Sequence, residues 1–467
     1  MTAPRLAAVV RGRFGFAFAL AGTIWAAWLV AVAAGGGTFD AFGNLVSGDH
    51  LAFYTPARLI RDGYPETLYD YPFTAAYQNE MLGGRYRTLN AFRNPPFYAL
   101  LYLPTAGLPY PASAAVWNVV SLLALVVGVR WLGVAHPWRV TAFALTFAPV
   151  FHVVGYGQNS LLSFAAFAAV YRLLATDRRF LAGLVAGLLC FKPTLLIGLV
   201  VWGVFDVRRL WPAALGVLVT AGVLVGGSYA VVPEAWAAYL GNFGEIAAYH
   251  AFDLWKVHTP RAFWALLLPD FPAAVTPLAL ASSLVGIGVF YRVWRTLSDP
   301  LPGGGSKRFP DPSGPLPPWG GGLGWGVETS PPKRPPPSPL PGGGSKSPLP
   351  LLFGAAVALT LWASPHALIY EWSLAVIPAA LWWDADPDRR DEWLVVFAVV
   401  WVAFLTGTDV ARFCDWFQRH QLGWGRVYVV QYTVPVAAWA GWTAARLLTG
   451  SADPPAAVPD RPPGGGP

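Results

Sequence analysis

Charge is scarce in this chain. Only 12% of its 467 residues are Asp, Glu, Lys or Arg, 55% are hydrophobic, and the mean hydropathy is +0.46. A soluble domain ordinarily carries about 25% charged residues. A water-soluble fold of this size would therefore lack the polar surface to cover itself, which excludes a soluble enzyme. Cysteine is nearly absent as well. Cys190 and Cys414 supply neither a disulfide framework nor a metal-ligand spacing, which excludes a secreted disulfide scaffold. The apolar runs lack the period-two alternation of membrane strands, which excludes a β-barrel.

What is present instead is a series of apolar runs, the longest matching the ~20 residues a helix needs to cross a bilayer. The first, Phe14–Ala34, follows Arg5, Arg11 and Arg13. Basic flanks stay in the cytoplasm, so the run is expected to be a retained signal anchor with the N-terminus inside. A polar segment of 60 residues, 35–94, follows and is expected on the opposite, trans, face. Two short amphipathic helices are predicted there, around His50–Arg61 and Phe73–Met81, lying on the membrane interface. The apolar stretch opened by Pro95-Pro96 ends near Pro104 and is too short to span comfortably. If it does not cross, most arginine-bearing loops fall on the cytoplasmic side, as the positive-inside rule requires.

The expected fold is therefore an all-α polytopic protein of the inner, cytoplasmic membrane. It has about twelve crossings (roughly 10–13 on span length), with both termini in the cytoplasm. The net charge of +7 is then carried by cytoplasmic arginines rather than by a nucleic-acid surface. The 23 tryptophans and 18 tyrosines suit interfacial aromatic belts.

Residues 300–350 break the pattern, with 16 Pro and 12 Gly among 51 residues, and within them the octapeptide Pro300–Lys307 recurs as Pro339–Lys346. Such composition builds no core and reads as a disordered cytoplasmic linker. It divides an N-terminal membrane module, 1–299, from C-terminal helices, 351–447. The tail, 448–467, resembles the linker.

Ionisable groups within membrane segments are costly and by default mark function. Lys192, one of only five lysines, lies between Phe191 and Pro193 where two short apolar runs meet on the trans side. Gly157-Gln158-Asn159 forms a trans turn, Ser364-Pro365-His366 and Tyr370-Glu371 end a later hairpin, and Asp49-His50 precede the first amphipathic helix. A carboxylate can take a proton from a hydroxyl nucleophile, and a lysine can hold a leaving phosphate. The set suits transfer of a group from a lipid phosphate onto an alcohol. Each residue also has a plainer use. Asp49 would stabilise a helix N-terminus, Lys192 would snorkel, and His366 would cap or pack. Glu371 would bond another helix, and Gln158 and Asn159 would cap the helix that follows.

The ordered set Gly48–Tyr54, Gly63, Leu68-Tyr69-Asp70, Asn94-Pro95-Pro96, Gly157-Gln158-Asn159, Ala182…Phe191-Lys192-Pro193 and Ser364-Pro365-His366…Tyr370-Glu371 resembles the GT-C class of polyprenyl-phosphate-sugar-dependent glycosyltransferases. It is most similar to glycosyltransferase family 87, the family of mycobacterial α-mannosyltransferases. The resemblance implies a GT-C-like fold and a polyprenyl-phosphate-mannose-type donor. It also implies a lipid or glycan acceptor and inverting, metal-independent transfer on the trans face, with no cofactor. Asp49 matches the family's catalytic aspartate. The donor and substrate side is expected to comprise Lys192, His366, Glu371, Gln158, Asn159, His50, Tyr54 and Asn94. Two features depart from the family: Tyr370-Glu371 stands where Tyr-Asp is common, and the Pro/Gly insertion has no counterpart. A transporter or lipid flippase, and a lipid-linked glycan ligase or polymerase, are the competing readings.

Overall fold

The computed structural model describes residues 3–248, 254–298, 347–419 and 432–450. Among them no strand forms; the chain is helical, with isolated β-bridges joining loop residues. Among the described residues four helices are long and apolar enough to cross a membrane: Phe14–Ala34, Tyr110–Trp131, Val207–Val231 and Pro272–Ser298. A fifth span results if Pro137–Thr146 and Ala148–Tyr156, bent by 72° at their junction, are taken together. Pro149 sits in the first turn of the second piece, where its missing N–H leaves no bond unmade.

Shorter apolar helices, Ser160–Ala175, Arg179–Phe191, Pro193–Phe205 and Leu349–Ala363, make up much of the remainder. Length and composition thus identify four or five full crossings, and about twelve is reached only if shortened and broken helices are counted as spans. The long helices turn apolar residues outward, Leu218, Val223 and Leu284 among them. A helix apolar on its outer face needs an apolar solvent. The chain is accordingly an all-α, multi-pass membrane protein. Helix pairs approach closely through small residues. A Cβ on Gly183 would lie 1.9 Å from the Ala213 carbonyl oxygen of the neighbouring helix Val207–Val231.

Segment 35–94 forms the helices Leu51–Asp62 and Tyr71–Met81, close to the expected bounds. Gly63 ends the first in a left-handed conformation, and Asp70 caps the second by accepting from the Phe73 N–H at 3.0 Å. The expectation that both lie on the lipid interface needs correction for the first. Leu51, Phe53, Tyr54, Ala57 and Leu59 are buried, and Phe53 stacks on Tyr102, so this helix is packed into the protein. The covering element is the Pro95-Pro96 stretch. It forms only the five-residue helix Pro96–Leu100 and a turn at Leu103–Thr105, too short to cross. The Pro/Gly-rich linker, up to residue 346, and the tail from residue 451 lie outside the described residues.

Candidate active site

The loop carrying Asp49 is fixed from several sides. Ser47, buried and left-handed (φ 53°), receives an N–H from the Asn118 side chain at 3.0 Å. The Tyr110 hydroxyl donates to the carbonyls of Val46 and Ser47. The Asn90 amide donates to the Gly48 carbonyl at 2.5 Å, and Asn90 is itself held by Gln78, which also bonds Thr55. Asp49 and His50 lie in the 3-10 turn Gly48–His50, which leads into Leu51–Asp62.

The Gly157-Gln158-Asn159 turn is pressed against this loop. Gly157 ends the helix Ala148–Tyr156 at φ +71°. A Cβ there would lie 2.7 Å from the Ser47 Cβ and 2.8 Å from the His50 Cβ. Only glycine meets both the dihedral and the contact. The approach lets Gln158 donate to the Asp49 carboxylate at 2.8 Å, joining residues 109 apart in sequence. Burial pushes the Asp49 carboxyl above its usual range, while the Gln158 hydrogen bond and the charge of Lys256 pull it back. A carboxylate placed between these influences suits a general base.

Asn159 occupies the N-cap position of Ser160–Ala175, but its side chain makes no cap bond. It bonds instead to the hydroxyls of Tyr98 and Tyr102. Tyr98 in turn stacks on Phe191, ring centroids 4.1 Å apart. The capping role considered for Gln158 and Asn159 is therefore not the one their side chains play. The turn ties the Asp49 loop to the break at Lys192.

At that break Pro193 removes an N–H and disfavours helical dihedrals at the residue before it. Lys192 accordingly takes φ −137°, ψ 82° between the 3-10 turns Leu188–Phe191 and Pro193–Leu196. Its ammonium forms an ion pair with Oε1 of Glu371. Glu371 is buried, 6% exposed, and its Oε2 accepts the Leu368 N–H at 3.3 Å; Lys192 is 27% exposed. Glu371 is closed in by protein, while part of the Lys192 side chain stays exposed. Glu371 sits on the 3-10 helix Ile369–Ala375, which packs on Ala148–Tyr156 and Ser160–Ala175. Next to it, Tyr370 feels the charges of both Asp49 and Arg93. Arg93 also acts on Lys192.

Asp49, Gln158, Asn159, Lys192 and Glu371 thus form one neighbourhood. The other expected residues lie around it. His50 is buried among the rings of Tyr54, Tyr102 and Tyr110, with Nε2 bonded to Ser113 at 3.0 Å. Burial lowers its pKa to about 3, so it stays neutral. Tyr54 donates to the Leu108 carbonyl at 2.6 Å. Asn94 accepts the Tyr69 hydroxyl through its backbone carbonyl, and His366 sits half-buried in the turn after Leu349–Ala363.

Arg93 and Lys256 belong to this neighbourhood too, though sequence reasoning did not select them. Lys256 is the one lysine besides Lys192 outside the linker, which was the available signal. Its loop is tied to the Glu371 loop: Val257 bridges Leu368, the His258 N–H donates to the Ala367 carbonyl at 2.8 Å, and the Trp372 indole donates to the His258 carbonyl. Among the described residues no three His, Cys, Asp or Glu side chains are grouped as a metal site.

Comparison with known proteins bears on this arrangement. Residues 92–303 match the model of glycosyltransferase family 87. The chain is also 33% identical over 201 residues to a polyprenol-phosphate-mannose-dependent alpha-(1-2)-phosphatidylinositol pentamannoside mannosyltransferase of Mycobacterium tuberculosis (strain CDC 1551 / Oshkosh). That similarity covers 39% of this chain and 43% of the relative, so the chain spans less than half the length of the relative it matches. No solved structure is a significant match. The resemblance to family 87 is thus shown over the stretch holding Asn94, Gln158, Asn159 and Lys192; Asp49, Glu371 and His366 lie outside it.

Proposed function

We propose that this chain, similar to glycosyltransferase family 87 over residues 92–303, is a membrane glycosyltransferase. It moves a hexose, mannose on the strength of the relative's name, from a polyprenyl-phosphate donor to a hydroxyl acceptor on a lipid or glycan. The observation that carries the reading is the Asp49 carboxylate, half-buried, held by Gln158 and joined through Asn159 and Tyr98 to the Lys192–Glu371 pair.

In the reaction Asp49 accepts the proton of the acceptor hydroxyl as that oxygen attacks the anomeric carbon. The bond from that carbon to the phosphate oxygen breaks, and polyprenyl phosphate leaves. A single displacement inverts the anomeric centre. An ammonium has three N–H donors; with one directed to Glu371, Lys192 retains others for the departing phosphate, whose negative charge grows as the bond breaks. His366 and Asn94 line the donor side. His50 and Tyr54, whose polar side-chain atoms bond Ser113 and Leu108, act by holding the loop. In this reading the shortened helices are broken crossings among about twelve, by the span requirement. The site opens on the trans face of the cytoplasmic membrane, with both termini inside.

Asp49→Asn is expected to lower sugar transfer from lipid-linked donor by about 10²–10⁴-fold, the usual contribution of a general base. The variant should elute from size exclusion in detergent like the parent. Full transfer by that variant would overturn the assignment. Transport of a labelled solute by reconstituted protein with no glycosyl product would replace the enzyme by a transporter, and transfer of a whole glycan would make it a ligase.

A further inference from the structure

A second feature lies away from Asp49. A cleft of about 970 Å³ opens between the helices Ala3–Gly12, Phe14–Ala34, Pro137–Thr146, Pro272–Ser298, Leu349–Ala363, Val376–Ala385, Arg390–Arg419 and Thr433–Thr449. Its walls are apolar almost throughout, with Phe143, Phe290, Trp362 and Phe397 among them. Its polar lining is concentrated where several of these helices begin or end, and that lining is mostly cationic: Arg11, Arg13, Arg139 and Arg390 against Asp384. Arg11 pairs with Asp391, and Arg390 lies over the Trp383 ring. Arg13 and Arg139 are exposed and make no ion pair among the described residues.

We propose that this cleft is a binding site for an anionic phospholipid of the leaflet at its arginine-bearing end. The acyl chains would lie against the apolar walls, and the phosphate would lie between Arg13 and Arg139. Cationic pockets between membrane helices recognise anionic headgroups in this way. On the proposed topology this end is cytoplasmic, but the chemistry does not depend on which leaflet it is. The polyprenyl donor fits the cleft less well. Its one charged group belongs with Lys192, and its hydrocarbon end gains nothing from four guanidinium groups. The cleft is also lined by Trp372, the neighbour of Glu371. A seated acyl chain therefore contacts the element that holds the Lys192 partner.

The test uses the full chain, purified in detergent and placed in nanodiscs containing phosphatidylglycerol or phosphatidylcholine. Co-purifying lipid is read by native mass spectrometry and the unfolding midpoint by fluorescence. Phosphatidylglycerol should be retained preferentially and should raise the midpoint. Arg13→Gln/Arg139→Gln should weaken its retention about thirtyfold, equivalent to ~2 kcal/mol for two arginines at a membrane surface. Gly441→Leu is the second variant. Gly441 lines the cleft, a Cβ there meets nothing within 4 Å, and the added side chain fills the space where an acyl chain would lie. It should fold like the parent and lose the retained lipid.

Equal retention of the two lipids would overturn the proposal. So would unchanged retention in both variants, displacement of phosphatidylglycerol by polyprenyl phosphate, or absence of any retained lipid. None of these measurements reads sugar transfer, so the outcome is independent of the function proposed for Asp49.

Discussion

Gly157→Ala isolates the contact that brings Asp49 and Gln158 together. An L-residue held in the left-handed region costs roughly 1–2 kcal/mol. The new Cβ would lie 2.7 Å from the Ser47 Cβ, 2.8 Å from the His50 Cβ and 2.9 Å from the Ser47 oxygen. Overpacking of that kind adds about 1–3 kcal/mol. The sum, ~2–5 kcal/mol, is relieved if the turn moves away from the Ser47–His50 loop. Since 1.4 kcal/mol is a factor of ten, the parted state should rise in population by about 30- to 4,000-fold. Amide hydrogen exchange reads it directly, at the His50 N–H bonded to Ser47 at 2.9 Å and the Gln158 N–H bonded to Val153 at 2.7 Å. Transfer should fall in parallel, because parting removes the Gln158 hydrogen bond from Asp49. The control is Gly155→Ala, two residues earlier in the helix. There a Cβ meets only the Phe151 ring at 3.9 Å, and alanine improves helix propensity by about 1 kcal/mol. Wild-type exchange in Gly157→Ala, or equal damage from Gly155→Ala, would refute the reasoning.

Gln158→Leu should move the acid limb of the transfer rate to higher pH. Its hydrogen bond favours the ionised Asp49 carboxylate, so removing it raises the carboxyl's pKa and leaves more of it protonated at a given pH. The rate should recover as pH rises; an acid limb that stays put would count against Asp49 as the base. Glu371→Gln should destabilise the protein in detergent by about 3–5 kcal/mol, since it leaves a Lys192 charge without its partner. Lys192→Met/Glu371→Leu should be less destabilised than either single change, yet inactive; additive losses in the double-mutant cycle would mean the pair is not coupled. His50→Phe should lower the unfolding midpoint without shifting the pH profile, because the imidazole is neutral across the working range and serves to hold Ser113 and the surrounding rings.

Much of this was legible in the sequence because the signals were local. Helix character followed from long apolar runs, and Leu51–Asp62 and Tyr71–Met81 from amphipathic spacing with turn residues between them. Pro95-Pro96 gave the helix that fails to cross. The candidate residues were legible for the opposite reason, since Asp49, Lys192 and Glu371 are exceptions in a chain with few charges. Pairing was not legible. Nothing local says that Lys192 meets Glu371, 179 positions away by sequence number, or that Asn159 bonds Tyr98 instead of capping its own helix. Those contacts depend on how helices approach one another, and sequence spacing carries no record of that. The interfacial placement expected for Leu51–Asp62 failed for the same reason: amphipathicity identifies an apolar face but not whether lipid or protein covers it.

The backbone irregularities and the polar side chains coincide. Ser47 and Gly157 are left-handed, Lys192 is extended between two 3-10 turns, and Glu371 lies on a 3-10 helix. In a membrane protein a broken helix leaves N–H and C=O groups that lipid cannot satisfy, so such breaks persist only where protein or water completes the bonding. Glu371 does so for the Leu368 N–H and Tyr110 for the Ser47 carbonyl. Breaks therefore require polar partners, and polar partners are what a chain with 12% charged residues has least of. Because so few are available, the breaks gather around the same side chains and draw distant elements together. The site then follows from helix interruption: restoring a helix-compatible residue at Pro193 should straighten the break, withdraw Lys192 from Glu371 and abolish transfer, even though Pro193 itself carries no chemistry. Retained transfer in Pro193→Ala, with the Lys192–Glu371 coupling intact, would mean the break is held by its surroundings and not by the proline.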